Sequence, residues 1–199
     1  MSDAINVTLK GYTKELVDAA LAAIDRVHDD GVLPQIDLKS SNKNSFGYFQ
    51  PKPGANGIEA DHMGVRVTGS WPALTAAHET GHFLDLEAIG AKGNYATVTG
   101  GDMAAVLKAA EETDGIKAIR ERLANGIEER ECRYLLKPQE IWARAYAQFV
   151  TEESGNLTLK GDLAKLLADP GYRQRQWSAG DFAPVSTAIK ELFKKLGWL

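Results

Sequence analysis

The chain has 199 residues, and its formal net charge of −4, from 23 Lys and Arg against 27 Asp and Glu, provides no cationic surface for nucleic acid. Cys132 is its single cysteine, so an internal disulfide is excluded. No apolar run approaches the roughly 18 residues of a membrane-spanning helix, and no secretory signal opens the chain. These totals predict a globular domain in the cytoplasm, with neither nucleic acid nor membrane as a partner.

The first third of the chain combines one helix with several strands. Apolar residues recur at helical spacing over residues 13–27. Strands are predicted at residues 33–39, 46–50 and 58–68. In the last of these, Met63, Val65 and Val67 alternate with polar or small residues, which is the period of a strand with one apolar face.

A helix predicted over residues 72–88 carries the sequence H-E-T-G-H at residues 78–82. Residues four apart on a helix project from nearly the same face, so His78 and His82 are placed to bind one metal ion. Glu79 is the predicted catalytic residue, a general base acting on a metal-activated water. The alternative is a pair of hydrogen-bonded histidines on a half-buried helix without a metal.

The remainder of the chain is mainly helical. Helices are predicted at residues 102–112, 115–124, 138–151, 157–168 and 184–196. Together these patterns predict a single α+β domain, mainly helical, with a small mixed or antiparallel sheet before the motif helix. Its parts are an N-terminal helix and sheet (1–70), the motif helix (71–90) and a helical C-terminal part (91–199).

A catalytic zinc site needs a third protein ligand. Glu140 is the favoured candidate, because it lies in the first turn of a predicted helix whose small residues Ala143 and Ala147 allow another helix to approach closely. A surface role for Glu140 at the positive end of the helix is the alternative. Other candidate ligands are His28, His62, Glu111, Glu112, Glu128, Glu129 and Glu131.

Two further charged residues are candidates for supporting roles. Asp85 follows His82 on the same side of the helix and is predicted either to orient a metal ligand or to pair with Arg144. Arg144 is predicted to pair with Glu140 four residues earlier or to lock two helices together.

Residues 76–85 and 138–146 together resemble the zincin-type metallopeptidases of the gluzincin group, in particular domains of phage, prophage and mobile-element proteins. The likeness covers residues 46–150. It implies a zincin-like fold with Zn²⁺ as the cofactor, held by His78, His82 and Glu140. Glu79 is then the general base of a zinc metalloendopeptidase that hydrolyses a protein or peptide substrate in a bacterial or phage-infected cell.

The resemblance also implies an edge strand that binds the substrate backbone, here residues 61–68. The substrate-binding residues would be Met63, Gly64, Val65 and Arg66. The residue that stabilises the oxyanion is left open among Tyr95, Tyr134, Tyr146, Tyr172 and His62. The alternative function is a non-catalytic, zinc-stabilised assembly or interaction module of a phage particle.

Overall fold

A computed structural model describes residues 1–42, 44–90 and 92–199 and confirms the predicted α+β class. Its strands are β1 (Ile5–Val7), β2 (Ile36–Ser41), β3 (Gly47–Gly54) and β4 (Gly57–Arg66). They form a mixed sheet in the order β1-β2-β4-β3. The first three in that order run parallel, whereas β3 pairs antiparallel with β4 and forms an edge.

The strand β3 is longer than its predicted span of residues 46–50. It continues through Pro51 and Pro53 to Gly54, so two residues separate β3 from β4. Proline is tolerated at a sheet edge because the outer side of such a strand needs no ladder hydrogen bond. The register also shifts between Gln50 and Pro51, which accommodates the first proline.

The helices are α1 (Gly11–Val27), α2 (Pro72–Glu87), α3 (Ala96–Thr99), α4 (Ala104–Glu111), α5 (Asp114–Ala124), α6 (Glu129–Leu135), α7 (Pro138–Ser154), α8 (Leu157–Ala168) and α9 (Ala179–Leu196). The predicted helix at 102–112 is a 3₁₀ turn followed by α4, and α9 begins five residues before its predicted start and contains Pro184. Within the described part of the chain, no helix is both long and apolar enough to cross a membrane.

The motif helix α2 lies at the centre of the molecule. It packs against β3 and β4 on one side and against α1, α7 and α8 on the others. The backbone N–H groups of Ala73 and Leu74 donate to Asp162 Oδ2 of α8, at 3.1 and 3.3 Å. A carboxylate in this position satisfies free donors at the helix start and complements the positive end of the helix dipole.

Gly81 brings α2 and α7 into close contact. A Cβ atom at Gly81 would lie 3.0 Å from the Cα of Ala143 and 3.2 Å from Cδ1 of Tyr146. Nε1 of Trp142 donates a 2.7 Å hydrogen bond to the Gly81 carbonyl. These contacts set the spacing of the two helices and bring the first turn of α7 opposite the motif histidines.

Replacing Gly81 with Ala is expected to lower the free energy of unfolding by about 1–3 kcal/mol, because the new methyl group would overlap the α7 backbone. Gly161 in α8 is the matched control, since a Cβ atom there meets nothing within 4 Å. Gly161→Ala should raise the free energy of unfolding by about 0.5–1 kcal/mol. Denaturant unfolding of the metal-free proteins measures both, and equal effects would contradict the close contact.

Candidate metal centre

The three chemically important residues of the motif converge on one side of α2. His78, Glu79 and His82 each offer a ligand atom, and these atoms lie within 4.8 Å of one another. The two imidazole rings meet edge to face with their centroids 4.9 Å apart. The arrangement is a group of potential metal ligands at the predicted position.

Glu140 lies directly opposite both histidines. Its Oε2 is 3.4 Å from His78 Nε2, and its Oε1 is 3.4 Å from His82 Nε2. Such separations are long for hydrogen bonds between charged groups. They match the spacing of two ligands on a tetrahedral zinc ion, because ligand bonds of about 2.0–2.1 Å place the ligand atoms about 3.4 Å apart.

The environment of Glu140 also fits a bound cation. Its side chain is 10% exposed. Among the described residues, no hydrogen-bond partner meets its buried Oε2. A desolvated carboxylate oxygen without a partner is costly, and a metal ion would satisfy it.

The pKa values in the site reflect burial and the charges that face one another. Burial would raise the pKa of Glu140, but the facing His78 and His82 rings outweigh it and hold that pKa well below its usual value. Burial lowers the pKa of His78. Burial acts in the same direction on His82, but the nearby Glu140 carboxylate reverses the effect and raises the pKa of His82.

Glu79 is buried against the sheet edge. A Cβ atom at Gly47 would lie 2.5 Å from Glu79 Oε1, so the backbone at the start of β3 passes close to this carboxylate. Burial raises the pKa of Glu79 to about 8; the charge of His82 opposes this shift and that of Glu140 adds to it. Gly47 is a site residue that sequence reasoning missed, although its position between two aromatic residues marks a place of close backbone approach.

The prediction that residues 61–68 form an edge strand is wrong, because β4 lies inside the sheet. It pairs with β2 on one side and with β3 on the other. Met63 and Val65 are fully buried, and a Cβ atom at Gly64 would collide with the Tyr48 ring. Of the four predicted substrate-binding residues, Arg66 lines an open cleft that His78 and Glu79 also line.

The free edge beside the metal centre belongs to β3. The backbone N–H of Arg66 donates to the Phe46 carbonyl, so Phe46 faces β4 in the ladder. Hydrogen-bonded and non-hydrogen-bonded pairs alternate in an antiparallel ladder. The backbone groups of Gly47 and Phe49 therefore point to the outer side of β3.

A cleft of about 1000 Å³ opens at the metal centre. Its walls come from the start of β3, the first half of α2, α6, and the segment after α8. His78, Glu79 and Glu140 line it, as does Tyr134 of α6. Burial and the neighbouring Glu140 carboxylate raise the pKa of Tyr134.

Asp85 has a different role from the two that were predicted. Its carboxylate is fully buried and accepts hydrogen bonds from the backbone N–H and the hydroxyl of Thr97, at 2.8 and 2.7 Å. It thereby fastens α3 to the motif helix. Arg144 is not its partner, and the prediction of that ion pair is wrong.

Arg144 ties together the segments around the cleft. Its guanidinium donates to the backbone carbonyls of Glu140, Arg175 and Leu135, and lies 4.9 Å from the Trp177 ring centroid. Burial lowers the pKa of Arg144 to about 10. The predicted pairing of its side chain with the Glu140 carboxylate gives way to contacts with the backbone.

Most of the other candidate ligands have partners away from the two motif histidines. His28 is buried and bonds to Tyr146 through Nε2 at 2.9 Å, whereas His62 pairs with Asp61. Four of the glutamates are paired with arginines, as Glu111–Arg120, Glu128–Arg122, Glu129–Arg133 and Glu131–Arg175. Of the five oxyanion candidates, Tyr134 and Tyr172 line the cleft.

Comparisons of this chain with protein-family models, with curated proteins and with solved structures return no match.

Asp85→Asn should change how stability depends on pH. Burial raises the pKa of Asp85 to about 6, against the opposing hydrogen bonds from Thr97, so the folded protein holds this proton more tightly than the unfolded chain. The Asp85 contribution to the free energy of unfolding therefore falls as pH rises from about 4 to 6, by about 3 kcal/mol.

Denaturant unfolding of the metal-free protein at several pH values tests this expectation. Asp85→Asn should gain stability relative to the parent as pH rises through that window. A difference between the two proteins that stays constant from pH 4 to 7 would contradict it. Asp3→Asn, at an exposed carboxylate, is the control.

Proposed function

We propose that this protein is a zinc metalloendopeptidase in which His78, His82 and Glu140 hold the ion and Glu79 is the general base. The observation that carries the proposal is the convergence of one buried carboxylate on both histidine Nε2 atoms at 3.4 Å. The open cleft at this centre gives a substrate access to Glu79.

Bound zinc lowers the pKa of a coordinated water to about 7 and polarises a carbonyl group. Glu79 accepts the proton of the attacking water and delivers it to the leaving amine. The close approach of the Gly47 backbone places this carboxylate beside the start of β3.

The substrate is proposed to bind as an extended strand along β3. The outward backbone groups of Gly47 and Phe49 offer it a row of hydrogen-bond partners, as in other cases of strand addition. This edge replaces residues 63–66 as the proposed site of backbone pairing.

Tyr134 is the proposed donor to the oxyanion. It lies on the α6 wall of the cleft that Glu79 also lines. Because its pKa is raised, its phenol stays protonated and can donate a hydrogen bond to the charge that develops on the carbonyl oxygen.

The alternative, a non-catalytic zinc-stabilised module, fits the cleft less well. A structural zinc site is closed by four protein ligands, whereas a catalytic site keeps an open position. Here the group of ligands borders a cleft large enough for a peptide segment.

Glu140→Ala should weaken zinc binding by more than about 100-fold, because loss of a residue that only supports a ligand already costs about 10–100-fold. Competition with a chelator of known affinity measures the change. Glu129→Ala is the control, since Glu129 is exposed on the cleft rim and pairs with Arg133. Equal zinc affinity of Glu140→Ala and the parent would exclude Glu140 as a ligand.

Glu79→Gln should keep zinc and lose peptide cleavage by about 10²–10⁴-fold, because the amide cannot accept the proton. Digestion of an unfolded protein, followed by mass spectrometry, measures cleavage, and metal analysis of the same samples confirms zinc content. Glu129→Gln serves as the matched surface change. Cleavage by zinc-loaded Glu79→Gln at the rate of the parent would contradict the assignment.

A further inference from the structure

The outer side of β3 changes character halfway along the strand. Gly47 and Phe49 begin its outer row, because inner and outer residues alternate. The Gly47 backbone approaches Glu79, since a Cβ atom there would lie 2.5 Å from Glu79 Oε1. The Phe49 ring stacks on that of His82, with centroids 6.2 Å apart. The first half of the edge therefore lies beside the proposed reaction centre.

The outer row continues past the shift in register between the two strands. The shift arises because β4 carries one extra residue, Asp61, between the partners of Gln50 and Pro51. An extra residue in one strand leaves the alternation of its neighbour intact. Pro51 and, two residues on, Pro53 therefore belong to the same outer row.

Two hydrogen bonds on β4 support this orientation of the prolines. The residues opposite Pro53 and Pro51 are Ile58 and Ala60. Their N–H groups point away from β3 and donate to acceptors on the opposite side of β4, at 3.0 and 2.6 Å. These are therefore the non-hydrogen-bonded pairs of the ladder, and the backbone groups of both prolines face outward.

Proline prevents this half of the edge from holding a paired strand. Its nitrogen carries a ring carbon where other residues have an N–H group. The carbonyl of a partner strand finds no donor there, and the ring carbon keeps it beyond hydrogen-bond distance. The outward carbonyl of Pro51 is also occupied, because Gln50 Nε2 donates a 2.9 Å hydrogen bond to it. Pairing that begins at Gly47 and Phe49 therefore ends before Pro51.

We propose that Pro51 and Pro53 confine the backbone pairing of a substrate to the residues opposite Gly47 and Phe49. In an antiparallel arrangement the paired segment is three residues long, and its first and third residues exchange hydrogen bonds with the edge. The substrate is then an extended peptide with an N–H group at both of those positions. Proline is excluded from them and accepted further along, on the side of Pro51.

The inference rests on the proposed peptidase function for the identity of the bound chain as a substrate. The limit on pairing depends only on the edge of β3.

Binding of peptide hydroxamates to the zinc-loaded protein tests this limit. The hydroxamate chelates zinc and so fixes the register of each peptide on the edge. Oligoalanine chains of one to seven residues carry it at the C-terminus in one set and at the N-terminus in the other. In antiparallel pairing the first set extends toward Pro51. With the parent, its affinity by calorimetry should rise up to the residue opposite Phe49 and then change by less than about twofold, because no further hydrogen bond forms.

Pro51→Ala supplies an N–H group and should extend the rise by one step of about 3–10-fold, the contribution of a backbone hydrogen bond. Pro53→Ala alone is the matched control and should behave as the parent, since Pro51 still ends the pairing. The double variant should show a second step two residues later. Both prolines lie in the outer row, so neither change removes a ladder hydrogen bond. Circular dichroism and thermal unfolding establish that each variant is folded.

Amide hydrogen exchange gives a second readout, at the level of single residues. With the longest peptide bound, the Gly47 and Phe49 amides of the parent should exchange at least about tenfold more slowly than without it, because paired amides are protected. The new amide at position 51 should be protected in the same way in Pro51→Ala. The new amide at position 53 should stay unprotected in Pro53→Ala.

The inference and the peptidase function fail separately. Affinity of the parent that keeps rising past the residue opposite Phe49, or an identical length dependence in the parent and Pro51→Ala, overturns the proline limit. Failure of every hydroxamate to protect the Gly47 and Phe49 amides overturns it as well. Cleavage of an unfolded protein by the zinc-loaded parent is measured independently. Its absence contradicts the peptidase function, whereas cleavage without the limit leaves that function standing.

Discussion

The contact between α2 and α7 at Gly81 determines the geometry of the whole centre. Without a side chain at Gly81, the backbone of Ala143 approaches closely, and the Trp142 hydrogen bond to the Gly81 carbonyl fixes the rotation of α7. Glu140 lies one turn before Ala143, so this packing carries its carboxylate to within 3.4 Å of both histidines.

Burial of like charges is the second constraint on this region. The carboxylates of Glu79, Asp85 and Glu140 are all buried in this region. Arg144 is buried as well, but its guanidinium donates to backbone carbonyls and not to these carboxylates. Desolvated carboxylates are costly unless they are paired, protonated or bound to metal. Thr97 donates two hydrogen bonds to Asp85, and burial favours protonation of Glu79 as long as no cation lies beside it. A cation shared by the histidines and Glu140 would neutralise the Glu140 carboxylate and favour the charged, basic form of Glu79.

The parts of the site that follow from local periodicity could be predicted from the sequence. Helical spacing placed His78 and His82 on one face, and small residues after Glu140 indicated a close helix contact. The edge strand could not be found in this way, because the alternation in β4 shows which face is buried and not which strands lie beside it. The partners of Asp85 and Arg144 depend on tertiary packing, and β1 and α3 are too short to show a period.

Anomalous diffraction at the zinc absorption edge, from crystals of the zinc-loaded protein, would show where the ion binds and which residues hold it. We expect one strong peak between α2 and α7, within bonding distance of His78 Nε2, His82 Nε2 and a carboxylate oxygen of Glu140. Glu79 should lie beside the peak without ligating the ion. A zinc-loaded crystal with no peak at this position, or with a peak ligated by Glu79 in place of Glu140, would contradict the proposed site.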